Sequence, residues 1–378
     1  MTQAFNLSQL ANGVNTNGQV NAASYLYNQV PVANGGTALS SAGAAGNMLL
    51  ATSASAYASV TMPTFGFKNR IINGAMRIAQ RATSATITAG STILAGYSTV
   101  DRFYIYCTGA NVTAAQVAGS GSTKSVLQIT GAAGVTGVGI GQRIEQQNSY
   151  DMAGSTATLS VDLSNSLLTS VTWTAYYANT ADSFGTLASP TRTQIATGTF
   201  TVNTTKTRYS VNIAIPAAAT TGIEIVFTVG AQTSGTWVVD DIQLEPGSVA
   251  TSFDYRPYGT ELALCQRYYQ KSYEVGTVPA TATFANCVNT FGTAGAFTAG
   301  TIGAQAFFRV DMRSAATITI WDSAGNAGKV TANPYGSGVV TNNSASIVTS
   351  GSNQIQVERA SGTACNGIIY HYAASAEL

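Results

Sequence analysis

Charge is what this chain lacks most. Asp, Glu, Lys and Arg make up 9% of its residues, against about a quarter in an ordinary soluble protein. A surface so poor in ions must be covered by Ser, Thr, Asn and Gln, which suits a β-rich protein built into a larger assembly. The formal net charge is +1 and Lys and Arg are dispersed, so there is no electrostatic footprint for a nucleic acid. Histidine is almost missing: His371 is the single one. That count removes zinc sites built from His and Cys, and any Ser-His-Asp or Cys-His system would have to run through this one residue. Its setting, Tyr370-His371-Tyr372, alternates like a strand, so a surface or subunit-interface position is expected. Cys107, Cys265, Cys287 and Cys365 are scattered, with no C-x-x-C and no metal-ligand spacing. They read as buried apolar thiols rather than two disulfides. No apolar run reaches the roughly 18 residues of a membrane span, so no membrane insertion is expected.

Catalytic motifs are missing too. There is no G-x-S-x-G elbow, and Gly328-Lys329 is followed by Val330 rather than Ser or Thr, so it is no phosphate loop. With 38 glycines, Gly119/Gly121 and Gly137/Gly139/Gly141 read as loops. Glycosidase chemistry needs two carboxyl groups a few ångström apart. Asp240 and Asp241 are adjacent in a strand pattern, which points them to opposite faces. Either could still join Glu145, Asp162 or Glu224.

What is present is strand periodicity. Residues 1–65 are bland and rich in Ala, Ser, Gly and Asn, with too little apolar content for a core of their own. They read as an extended attachment and oligomerisation segment, either a flexible linker or a stretch ordered against identical copies. Residues 66–258 read as a jelly-roll β-sandwich. Its strands are expected at 101–107, 112–117, 125–130, 157–163, 170–177, 194–202, 207–215, 223–229 and 236–244. In 207–215, Tyr209, Val211, Ile213 and Ile215 share a face, and in 223–229 Ile223, Ile225, Phe227 and Val229 do. Residues 259–275 predict a linking helix, with Thr260 as N-cap and Glu261 in its first turn. Residues 276–378 predict a second, smaller β-sandwich, with strands at 280–287, 304–310, 316–321, 345–349, 353–359 and 367–373. The fold class is therefore all-β.

Two residue sets could carry binding. Stacking on a pyranose needs planar aromatic faces. Trp173, Tyr177, Phe184 and Trp321 are the glycan-binding candidates, with Trp173 and Tyr177 on one face of a strand and Tyr176 on the other; core positions are the plainer alternative. One of Asp240 and Asp241 must face inward or towards a sheet edge, where an unpaired carboxylate is costly. A structural calcium ion is one solution; a hydrogen-bonded Asp at a strand end, or one paired with Arg70 or Arg77, is the other. No other cofactor is expected.

Several blocks of the chain carry a likeness. They are KNRIINGAMRIAQR (68–81), DRFYIY (101–106), DDIQLEPGSVATSFDYRPYGTELALCQRYYQKSY (240–273), FFRVDMRSAATITIWDSAGNAG (307–328) and YHYAASAEL (370–378). Over roughly residues 66–378 the chain resembles tailed-bacteriophage tail-fibre or receptor-binding structural proteins whose jelly roll is similar to carbohydrate-binding modules. The resemblance implies a non-enzymatic virion protein that forms a homotrimer, joins other virion proteins through its N-terminal segment and contacts a host cell-surface polysaccharide. It also implies that Asp240 or Asp241 helps to hold a structural calcium. MTQAFNLSQL lacks the basic and apolar regions of a signal peptide, which agrees with assembly in the host cytoplasm and action outside after lysis. The short stretch before the first domain favours a short tail fibre or tail-tip adhesin over a long fibre. A capsid-decoration or head-fibre protein and a polysaccharide-degrading tailspike are the alternatives.

Overall fold

A computed structural model describes residues 37, 39, 47–53, 56–61, 67–90, 96–121, 123–291, 302–332, 339–359 and 365–378. The chain divides into two compact units, Met1–Gly66 and Phe67–Leu378. In the first, β1 (Asn47–Ser53) and β2 (Ala56–Thr61) form an antiparallel hairpin with a bulge at Ala51/Ser53. The rest of the expected N-terminal segment lies outside the described residues.

The second unit opens with β3 (Ser84–Ile87), β4 (Tyr104–Thr108), β5 (Val112–Ala118), β6 (Ser125–Thr130), β7 (Gly137–Ile144) and β8 (Thr156–Asn165). There follow β9 (Ser170–Ala178), β10 (Arg192–Thr201), β11 (Thr207–Ala214), β12 (Ile223–Val229) and β13 (Thr236–Pro246). They build two antiparallel sheets, one in the order β10-β9-β12-β7-β4 and the other β11-β8-β13-β6-β5-β3. Alternation decides which side chains meet between them. Ile223, Ile225 and Phe227 of β12, Val138 and Ile140 of β7, Leu159 and Val161 of β8, and Trp237 and Val239 of β13 form one buried core.

The block 68–81 is an irregular segment held against β13. Arg70 N–H donates to the Leu244 carbonyl at 2.8 Å and Ile242 N–H to the Gly74 carbonyl at 3.1 Å. A Cβ at position 74 would sit 2.1 Å from the Ile242 oxygen, so only glycine fits. Asn73 takes the left-handed conformation, φ 60°. Its side chain accepts from the Arg77 and Ile78 amides and donates to the Ile78 and Asp101 carbonyls.

The C-terminal part consists of α1 (Tyr258–Gln266), β14 (Tyr269–Lys271), β15 (Val288–Phe291), β16 (Gly303–Phe307), β17 (Thr317–Trp321), β18 (Lys329–Ala332), β19 (Val340–Ser350), β20 (Gln354–Arg359) and β21 (Gly367–Ser375). β21 is the hub: β14 and β17 pair with its second half, β15 and β18 with its first. A second core gathers Ile320, Val330, Ile355, Val357, Ile368 and Tyr370. The expected helix over 259–275 is shorter than its spacing suggests. It stops at Gln266, and Tyr269–Lys271 becomes a strand because β21 supplies the hydrogen bonds a longer helix would make internally. Cys265 in its last turn and Tyr268 just beyond it are buried against Ile72 and Ile78. The strand expected at 280–287 falls at Val288–Phe291 instead, where it can pair with β21.

Candidate functional site

The outer face of the five-stranded sheet gathers Tyr104, Tyr106, Tyr176, Arg143, Arg192 and Glu224. Glycine makes it possible. Gly137, Gly139 and Gly141 belong to β7, not to a loop, and alternate with the core residues Val138 and Ile140. Across the β4–β7 ladder Tyr104 faces Gly141 and Tyr106 faces Gly139. Each ring lies over the glycine opposite: an added Cβ would meet the Tyr106 ring at 2.2 Å from Gly139 and the Tyr104 ring at 2.3 Å from Gly141. The two rings are 22° from parallel with centroids 6.4 Å apart. Tyr104 is buried, whereas Tyr106 is half-buried.

Glu224 anchors the middle of this face. Its neighbours across the ladders are Arg143 on β7 and Tyr176 on β9. The buried carboxylate accepts from Tyr104 Oη at 2.7 Å, from Arg143 Nε at 2.9 Å and from Arg192. Burial, then the Glu224 charge, push the Tyr104 hydroxyl well above the ordinary phenol range, so it stays a donor. The Arg192 guanidinium stacks 4.0 Å from the centroid of Tyr176. Thr172, Thr174 and Thr228 complete a half-buried hydroxyl floor beside these rings. The accessible part is an aromatic shelf of Tyr106 and Tyr176, with Arg192 and the three threonine hydroxyls beside it, laid on the buried Tyr104–Glu224–Arg143 network. A stacking face flanked by hydrogen-bonding groups suits a sugar ring.

The aromatic candidates read from the sequence go mostly elsewhere. Trp173 and Phe184 are buried, at 6% and 1% exposure, so neither offers a stacking face. Tyr177 is half-buried and packs against the same core as Trp173. Alternation put both on the inner side, so Tyr176, on the opposite face, is the residue that reaches the shelf. Trp321 is half-buried at the end of β17, edge-on to Tyr273 at 6.1 Å. Tyr104, Tyr106 and Arg192 escaped sequence reasoning. Their signal was G-x-G-x-G with apolar residues between, a strand with one bare face.

Asp240 and Asp241 lie on the other sheet, and their geometry overturns the expectation of opposite faces. The β13–β8 register shifts between Asp240 and Gln243, and Asp241 takes φ 44°. This bulge reverses the alternation: Trp237 and Val239 point inward before it, Ile242 and Leu244 after it. Both carboxylates therefore fall on the outer side, and ligand atoms of Asp162, Asp240 and Asp241 lie within 4.8 Å of one another. The cations beside them are not Arg70 or Arg77. Lys206 Nζ is 3.2 Å from Asp240 Oδ2, and Arg208 is 3.2 Å from Asp162 Oδ1. Tyr255 donates to Asp241 Oδ2 at 2.6 Å.

The donor set suits calcium. Asp240 Oδ1 and Asp241 Oδ1 are buried without a hydrogen-bond partner. Burial and the Asp241 charge push Asp240 up to about 6. A hard cation takes carboxylate oxygens and would satisfy both orphaned atoms. Asp162, Asp240 and Asp241 are the residues that would hold it.

His371 is fully buried within the chain itself, contrary to the surface or subunit-interface position expected for it. Its Nδ1 meets Ser272 Oγ at 2.9 Å and its Nε2 meets Cys287 Sγ at 3.1 Å. Tyr273 stacks on it at 3.8 Å. Burial lowers His371 and pushes the Cys287 thiol up to about 11. Both directions oppose a thiolate–imidazolium pair, so this triplet reads as packing rather than an activated nucleophile.

No family model matches the chain, and no curated protein does. Among solved structures it is similar to a CBM4 module at 14% identity, covering 46% of this chain and 98% of that one with a TM-score of 0.31. It is similar to the enzymatically active domain of tailspike protein 4 of bacteriophage CBA120 at 16% identity and a TM-score of 0.30, covering 50% of this chain and 22% of that one. TmCBM61, solved with β-1,4-galactotriose, shares 8% identity over 47% of this chain and 99% of its own, with a TM-score of 0.30.

Proposed function

We propose that this chain is a structural virion protein of a tailed bacteriophage, a short tail fibre or tail-tip adhesin that holds host-surface polysaccharide on the Tyr106 shelf. The observation that carries the glycan reading is the shelf itself: a half-buried tyrosine ring laid over Gly139, beside the threonine hydroxyls and the Arg192 guanidinium. Such a surface stacks on the C–H side of a sugar and bonds its hydroxyls without rearranging. The virion assignment rests on the resemblance of blocks 68–81 and 240–273. So do the homotrimer and the N-terminal attachment to other virion proteins. Individually weak sites, repeated by symmetry, add to a firm hold.

The depolymerase alternative has one observation in its favour, the carboxylates of Asp162, Asp240 and Asp241. Asp240 has no exposed surface, and Lys206 and Arg208 already sit on the cluster. Adhesion is therefore the better reading. In the test, full-length protein is applied to immobilised surface polysaccharide of the host. Retention without oligosaccharide release is expected, with Tyr106→Ala weakening it about tenfold. Released oligosaccharide would overturn adhesion in favour of hydrolysis. Light scattering that returned the 38.8 kDa chain mass would overturn the trimer.

A further inference from the structure

We propose that Tyr255 and Phe253 form a second saccharide platform, on the six-stranded sheet, that takes one ring of a neutral sugar. The proposal borrows its class of ligand from the glycan-binding reading, but its residues are separate from the Tyr106 shelf.

A surface tyrosine normally buries its ring and turns its hydroxyl to water. Tyr255 does the reverse. Its hydroxyl is spent inward on Asp241 Oδ2 at 2.6 Å, while the residue remains 44% exposed. Phe253 meets the ring edge-on, with centroids 4.7 Å apart and planes at 66°. The molecule thus keeps an apolar ring at the surface and locks it there.

The locking extends to the backbone. Residues 247–257 form a strap across the outer side of β8, β11 and β13. Asp254 N–H donates to Gln243 Oε1 at 2.8 Å, and Thr251 N–H to Glu245 Oε1 at 2.9 Å. Asn212 and Thr158 hold the Ser248 and Gly247 carbonyls, each at 2.8 Å. A ligand would pay little conformational entropy to use a ring held this way.

The edge of the platform carries the polar half of the site. The Arg208 guanidinium lies 5.9 Å from the Phe253 centroid and bonds Ser160 Oγ at 2.7 Å and Asp162 Oδ1 at 3.2 Å. Both charged side chains keep solvent access, 32% for Arg208 and 20% for Asp162. A donor fork beside a carboxylate matches vicinal hydroxyls, each of which both donates and accepts. The two signs also select against charge. An anionic sugar would have to lie against Asp162, and a cationic one against Arg208. A neutral pyranose meets neither penalty.

The full chain, labelled with 3-fluorotyrosine, is titrated with maltohexaose, cellohexaose and laminarihexaose and followed by fluorine NMR. Tyr106→Phe and Tyr255→Phe assign the two resonances. The Tyr255 resonance should move with at least one of these sugars. In calorimetry Tyr255→Ala should then weaken that sugar about tenfold. Tyr255→Phe, which keeps the ring and drops the bond to Asp241, should fall between. If the Tyr106 resonance moves and Tyr255 stays silent towards all three, the shelf stands and this platform is overturned. If Tyr255 moves alone, the platform stands whatever the host-polysaccharide retention test says of the shelf. Silence of both towards all three overturns the platform. A shift of Tyr255 with no loss of affinity in Tyr255→Ala also overturns the platform.

Discussion

Replacing Asp240 by Asn should make the calcium-free protein more stable at pH 8 and remove part of its pH dependence. Asp240 is fully buried, with one oxygen unpartnered and the other 3.2 Å from Lys206. Burial first, then the Asp241 charge, push it from 3.8 to about 6. The folded state therefore binds the proton more tightly than the unfolded chain does. Its contribution is fully present below about pH 4 and is lost as pH rises through about 6, remaining absent above that. The displacement corresponds to about 3 kcal/mol against the charged form. Asn forfeits the Lys206 ion pair, which is worth little because that lysine is 25% exposed. A net gain of about 1–2 kcal/mol at pH 8 is expected. Urea unfolding would be followed by tryptophan fluorescence from pH 4 to 8 with a chelator present, since Trp173 and Trp237 both lie in the affected core. The wild-type-minus-variant difference isolates Asp240 from the other titrating groups. Calcium at 100 times its dissociation constant should stabilise the wild type by about 2.7 kcal/mol and flatten the pH difference. A difference that is flat from pH 4 to 7 without calcium, or an Asn variant less stable at pH 8, would refute the reasoning.

Gly139→Ala and Gly141→Ala should behave differently although they are two residues apart. The first displaces the far end of the half-buried Tyr106 ring, so glycan retention should drop with a stability change within about 0.5 kcal/mol. The second drives into Tyr104, which is buried and tied to Glu224, so denaturant unfolding should show a loss of about 1–3 kcal/mol. Asn73→Ala should cost about 2–4 kcal/mol in the same assay, because its side chain makes four hydrogen bonds, three that close the 73–78 turn and one to the Asp101 carbonyl.

Much of the architecture was legible in short stretches. The alternation of Ile223, Ile225, Phe227 and Val229 placed β12, because a strand with one buried face must alternate whatever lies beside it. Even the bulge left a trace: Trp237 and Val239 keep one parity, Ile242 and Leu244 the other, with the two aspartates at the reversal. The end of α1 was not legible, because Tyr269–Lys271 is claimed by β21 from about a hundred residues away in sequence.

The sequence by itself determined that this is an all-β chain, that its inner faces are apolar, and that it holds no cluster of histidines or phosphate-loop motif. Those properties depend on composition and on spacing along the strand, which are local. The tertiary structure alone decided which aromatics are available to a ligand. Trp173 and Phe184 go inward, Tyr106 finds a bare glycine strand to lie on, and Tyr255 buries its hydroxyl against Asp241. It also decided that Asp162, Asp240 and Asp241 meet. Exposure and convergence depend on which strands become neighbours and on a single left-handed residue in β13, and neither is encoded in the period of any one strand.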